Sequence, residues 1–83
     1  MRVDDFLSTV GVIKRRTVAK ELGANGLIEA NGRRVKPSYE VKPGDIIRIK
    51  GSRPLAIEVI NIPGGSVPKT ERDSYYKDIP ITG

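Results

Sequence analysis

Neither cysteine nor histidine occurs among these 83 residues, and that absence sets how the chain can hold itself together. Disulfide staples and thiolate metal sites are excluded. The usual zinc ligand and the commonest general base are missing as well. A chain of this length forms one small domain and buries only about 60% of the surface its unfolded form exposes. Its stability must therefore come from an economical apolar core and from good turn chemistry. That leaves little room for a deep enclosed pocket.

The apolar pattern supplies such a core. Val3, Phe6, Leu7 and Val10 recur at i, i+3, i+4 and i+7, which predicts a one-faced helix. Asp4 and Asp5 fall in its first turn, where carboxylates favour the helix dipole. Gly11 provides a left-handed stop. A second helix is expected from about Lys14 to Leu22, with Val18 and Leu22 as its apolar ridge and Ala19 allowing close packing. Arg16 and Lys20, four residues apart, share its outward face. Two helices this short need a third element to cover them.

Turn signals point to a small sheet as that element. Asn25-Gly26 ends the helical region, Leu27 to Ala30 reads as a strand, and Asn31-Gly32 reads as a type I′ turn. Arg33 to Lys36 is the return strand. Lys42-Pro43-Gly44-Asp45 has the form of a type II turn, with proline second and glycine third. Ile46 to Lys50 and Leu55 to Ile60 or Ile62 are the remaining strands, separated by a turn over Gly51 to Pro54. The expected fold class is α+β: two short N-terminal helices on a small, mostly antiparallel sheet of about four strands. Residues 1–62 read as the folded body and 63–83 as a short polar tail. Within the tail, Tyr75, Tyr76 and Ile79 can anchor back on the sheet or dock on a partner; covering a sheet edge favours the first.

Charge then narrows the partner. The net charge is +5 and the pI about 9.8, which puts a polyanion first. Twelve of the 15 basic and seven of the ten acidic residues precede Asn61. Lys69, Arg72 and Lys77 balance Glu71, Asp73 and Asp78 after it, so the whole excess lies in the body. It is concentrated in Lys14-Arg15-Arg16 with Lys20, and in Arg33-Arg34 with Lys36. Compact basic patches of this kind suit phosphate contacts, and a small nucleic-acid-binding module follows. No apolar run reaches the length of a membrane span and no signal-peptide pattern opens the chain, so cytoplasmic residence is the expectation.

The ordered set of motifs resembles a known family. Arg2-Val3-Asp4 with Phe6-Leu7, Lys14-Arg15-Arg16 with Ala19, Gly26-Leu27-Ile28, Val35 after Asn31-Gly32, and Val41 before Pro43-Gly44-Asp45 look like the alpha-L RNA-binding domain of ribosomal protein S4, pseudouridine synthases and bacterial tyrosyl-tRNA synthetase. The likeness spans roughly residues 2 to 60. It is nearest to the stand-alone members, a small heat-shock protein and a small bacterial ribosome quality-control factor. The run Ile13-Lys14-Arg15-Arg16-Thr17, followed by Ala19-Lys20-Glu21, looks most like the latter. The resemblance implies binding to ribosomal RNA and tRNA on stalled large subunits that carry peptidyl-tRNA. No cofactor, metal, membrane or small-molecule substrate is expected, and the chain is expected to be a monomer when free.

The candidate RNA-binding residues are thus Arg2, Lys14, Arg15, Arg16, Lys20, Arg33, Arg34 and Lys36. Arg16 has no acid four residues on, only Lys20, and a polyanion would reverse that small like-charge penalty. On a helical wheel Arg15 falls between Val18 and Leu22, so it escapes burial only in the first turn. Alternation puts Arg34 and Lys36 on one strand face and Arg33 with Val35 on the other. Asn31 and Gly32 serve their turn. Asp4, Asp5 and Asp45 suit capping, turn bonding and the steering of arginines better than acid/base work, which needs carboxylates converging in a pocket. Tyr39 packs on the sheet or closes the Pro37-Ser38 turn. Four aromatic residues are too few for a single-strand stacking platform. The RNA site is therefore expected on the body, with the tail as an anchor. A small DNA-binding protein using the helix pair, or an adaptor acting through its tail, are the alternatives. An enzyme is disfavoured for want of an evident nucleophile or base.

Overall fold

A computed structural model describes residues 1–51 and 54–80. Helix α1 covers Val3–Thr9, and Val3, Phe6, Leu7 and Val10 are all fully buried. Their 3.6-residue spacing thus turns a single stripe inward. Gly11, at φ 80, follows the helix and reverses the chain. The next residues stay tied to α1, because the Ile13 amide donates to the Leu7 carbonyl at 3.0 Å.

That tie delays the second helix. Helix α2 covers Arg16–Ala24, two residues later than the local pattern suggests, and Arg15 is its extended N-cap. The register changes what is buried. Ala19 and Gly23 form the inner stripe, whereas Val18, expected on the ridge, is 42% exposed. The two buried residues are small because the backbone comes close there. A Cβ built on Gly23 would stand 2.7 Å from Pro37 Cγ.

Five antiparallel strands lie in the order β2-β1-β3-β4-β5. They are β1 Ile28–Ala30, β2 Arg33–Arg34, β3 Ile46–Ile49, β4 Leu55–Val59 and β5 Tyr76–Ile79. Asn31 at φ 54 and Gly32 at φ 84 carry the expected I′ hairpin between β1 and β2. The Asp45 amide closes the Pro43-Gly44 turn by donating to the Lys42 carbonyl at 3.0 Å. Alternation sends Ile28, Ala30, Ile47, Ile49, Ile57 and Val59 into the core shared with α1 and Ala19. Part of the turn expected over residues 51–54 lies outside the described residues.

The fifth strand comes from the region read as a tail. A 3₁₀ helix, Lys69–Ser74, leads into β5, which pairs Tyr76 with Val59 and Ile79 with Ala56. Tyr75 and Tyr76 pack against the core cluster. The Tyr75 carbonyl accepts the Ile60 amide at 2.9 Å. The anchoring residues are those the sequence singled out, and they cover the open edge of β4.

Candidate nucleic-acid interface

Two adjacent carboxylates organise the start of α1. Asp4 is fully buried, and a buried charge must be paired. Its Oδ1 accepts the Asp5 amide at 2.8 Å, and Arg2 supplies the counter-charge, with Nη2 3.4 Å from Oδ2 and Nε 3.3 Å from Oδ1. Asp5, partly exposed, pairs with Arg16, Oδ1 to Nε at 2.9 Å. Arg16 therefore has an acidic partner, reached across the helix pair instead of along its own helix. The Arg16 side chain is more than half exposed, so its guanidinium is open to a ligand while Asp5 orients it. Lys20 lies one turn further along α2 and is exposed. Arg2, Arg16 and Lys20 are thus gathered around one helix pair, two of them oriented by acids.

The other candidates lie around this group. The Val3 amide donates to the Tyr39 carbonyl at 2.6 Å and the Asp4 amide to the Pro37 carbonyl at 3.4 Å, so the loop carrying exposed Lys36 is tied to the start of α1. Arg33 and Arg34 are both exposed on the two-residue strand β2. Arg34 lies across the backbone that leaves α2, its Cδ 3.3 Å from where a Gly26 Cβ would stand. Arg33 and Arg34 also line a shallow groove with Asn31, Val35 and Tyr39. Lys14 and Arg15 are exposed but precede the helix. Arg15 avoids burial as the N-cap, and Lys14 lines a cleft with Ser8 and Gly11.

Asp45 holds the hairpin to the rest. It is 7% exposed and collects Tyr39 Oη at 2.8 Å, the Lys42 amide at 2.9 Å and Asn31 Nδ2 at 3.1 Å. Burial pushes its carboxyl up, but the hydrogen bonds from Tyr39, Asn31 and Lys42 outweigh that and hold it below the ordinary carboxylate range. The hydrogen bond to Asp45, reinforced by burial and by the carboxylate charge, raises the Tyr39 hydroxyl. Asn31 Oδ1 accepts the Ile46 amide at 3.0 Å. Asn31 thus serves both its turn and the sheet, while the Tyr39 amide closes its turn by donating a hydrogen bond to the Lys36 carbonyl at 3.0 Å.

Two cations that the sequence left out also reach this surface. Lys69 and Arg72 line a cleft with Ser8, Gly11 and Lys14. Their three-residue separation puts them on one face only once the segment is helical, and the polar segment carries no apolar period that would signal a helix.

The chain matches the family model described as the S4 domain over residues 1–47. It is 38% identical to the RQC P-site tRNA stabilizing factor of Bacillus subtilis, over 92% of this chain and 88% of that protein. The protein of the same name from Halalkalibacterium halodurans is also 38% identical, over 99% of this chain and 97% of the relative. The trimeric structure of Vibrio cholerae Heat Shock Protein 15 superposes with a TM-score of 0.84 at 26% identity, over 95% of this chain and 81% of that one. The solution structure of the hypothetical protein HP1423 gives 0.82 at 32% identity, over 99% and 100%.

Proposed function

Because this chain belongs to the S4 RNA-binding domain family and is related to the RQC P-site tRNA stabilizing factors, we propose that it binds structured ribosomal RNA and tRNA through its helix pair and hairpin, on stalled large ribosomal subunits that carry peptidyl-tRNA. Arg2, Arg16 and Lys20 form the centre of the contact. Lys14 and Arg15 extend it at one end of α2, and Arg33, Arg34 and Lys36 at the other. The name of the relatives supports the tRNA part of the reading. The protein works in the cytoplasm, as a monomer when free.

The observation that carries the reading is the placement of Arg2 and Arg16 by Asp4 and Asp5. An arginine oriented by a carboxylate on one edge presents its remaining donors in a fixed fork, which suits phosphate. Two such forks beside Lys20 can span neighbouring phosphates. This arrangement fixes position on a backbone and carries no base code of its own.

Sedimentation of cell lysate tests the biological half. The protein should travel with free large subunits; recovery only with intact ribosomes or with the soluble fraction would reject the stalled-subunit role. Replacing Arg16 with alanine tests the chemical half. Folding should be little changed, and the slope of log affinity for RNA against log salt should fall by roughly 0.7 to 0.9. An unaltered affinity and slope would remove the helix patch from the interface.

A further inference from the structure

Read as sequence, the segment after Asn61 is neutral and only anchors. Its charges separate once it folds. A 3₁₀ helix has three residues per turn, so residues i and i+3 lie on one face. In Lys69–Ser74 this sets Lys69 and Arg72 side by side. Together with Lys14, Ser8 and Gly11 they line a cleft of roughly 240 Å³. No acidic residue is among the described residues that line it. Glu71 and Asp73, the acids of the same segment, are exposed.

Arg72 is seated there closely. A Cβ built on Gly11 would stand 2.6 Å from its Nη1 and 2.8 Å from its Cζ. A larger residue there would push the guanidinium aside, and the φ of 80 at Gly11 favours glycine in its own right. Arg72 Nε is buried and donates to no acceptor among the described residues. Three cations are thus brought to one cleft with no acid lining it. Their mutual repulsion disfavours the arrangement in the free protein, and an anion entering the cleft would relieve it.

We propose that this cleft is a further RNA-phosphate subsite, in which Lys14, Lys69 and Arg72 hold a backbone phosphodiester beside the helix-pair contact. The assignment rests on the RNA-binding reading above and deepens it, because it makes the C-terminal segment part of the interface. Lys14 lies two residues before Arg16, so an RNA strand leaving the Arg2–Arg16–Lys20 group can continue into the cleft.

The test is binding of fluorescently labelled, unfractionated tRNA to the full chain across about 50 to 200 mM salt. Lys69→Ala, Arg72→Met and Arg16→Ala are compared with the parent, and each is melted to check its fold. Methionine retains an unbranched stem over Gly11 without the charge. Each cleft variant should bind about four- to sixfold more weakly near 0.15 M salt, with a slope lower by roughly 0.7 to 0.9. Weakening by Arg16→Ala with no change in either cleft variant overturns the subsite and leaves the proposed function standing. No change in any of the three overturns both. Lys69 is exposed, so its variant decides the matter if Arg72→Met fails to fold. An amide-shift titration with inorganic phosphate completes the test. Saturation at Gly11 and Arg72 by phosphate alone, with RNA affinity unchanged in the cleft variants, identifies a small-anion pocket and overturns the proposal.

Discussion

Asp45 joins three segments through one side chain, taking donors from Tyr39, Asn31 and Lys42. Its carboxyl is held below the ordinary range. Such a group stabilises the fold fully above its unfolded pKa, about 3.9, and loses that contribution as pH falls through the lower, folded value. Tyr39 has the opposite sense. Its hydroxyl is raised, so its contribution is complete below about 10 and is lost as pH rises through the folded value. The pair is therefore intact through the neutral range. We expect Tyr39→Phe to cost about 1.5 to 3 kcal/mol at neutral pH, the range for a hydrogen bond to a charged group. With one donor gone, the Asp45 carboxyl rises toward its ordinary value, and acid unfolding starts at higher pH. Thermal melts between about pH 2 and 7 check this; an acid limb identical to the parent's would show that Tyr39 does not control Asp45.

Among the elements, the C-terminal one makes the clearest stability prediction. Strand β5 covers β4, and Tyr75 and Tyr76 add partly buried rings to the core. Partial burial of two such side chains is worth about 1–2 kcal/mol. Truncation after Ile62 should therefore lower the melting temperature by roughly 4 to 16 °C in a domain of this size, and the uncovered edge should promote self-association. An unchanged melting temperature would mean that the pairing contributes nothing. A second expectation concerns the helix–loop contact. Gly23→Val should destabilise by about 1–3 kcal/mol, because the added carbons meet Pro37; a wild-type melting curve would place the close approach in doubt. These elements also show which features were legible. Helix α1 could be read directly because four apolar residues repeat at the helical period, and the hairpin because Asn31-Gly32 admits two positive φ angles. The start of α2 could not, since the Ile13–Leu7 hydrogen bond that ties the chain back to α1 joins two backbone groups and leaves no residue-type signal. Strand β5, Tyr-Lys-Asp-Ile, carries little intrinsic strand pattern and takes its conformation from the edge of β4. The candidate cations of the body were legible from charge alone. The pairing of Arg16 with Asp5 across the helix pair, and the approach of Arg72 to Gly11, depend on contacts between separate elements.

At the scale of the whole molecule, the basic residues are distributed over a rounded body about 29 × 26 × 21 Å, and they are not concentrated on one projecting element. Helix α2 has nine residues, a rod about 13.5 Å long. Its inner stripe is committed to the core through Ala19 and Gly23, and Arg16 at its start is engaged by Asp5. Such a helix is poorly placed to enter a major groove and read bases. The same charges suit a surface that follows phosphates along a folded RNA, where shape and 2′-hydroxyls supply the discrimination. We therefore expect tighter binding to folded tRNA than to duplex DNA at matched salt, by about tenfold or more, a difference of at least 1.4 kcal/mol. The salt slopes should differ less than the affinities, since both ligands offer phosphates to the same cations. If all eight candidates of the body made contacts, the RNA slope would reach about 6 to 7 in magnitude; the cleft cations Lys69 and Arg72 would add to that. Competition of labelled tRNA with unlabelled duplex DNA over a salt series separates the two quantities. Equal affinities would reduce the interface to charge alone. Tighter binding to a defined DNA sequence would move recognition to the helix pair of a DNA-binding protein, and would also require α2 to expose more of its length than its packing against Pro37 permits.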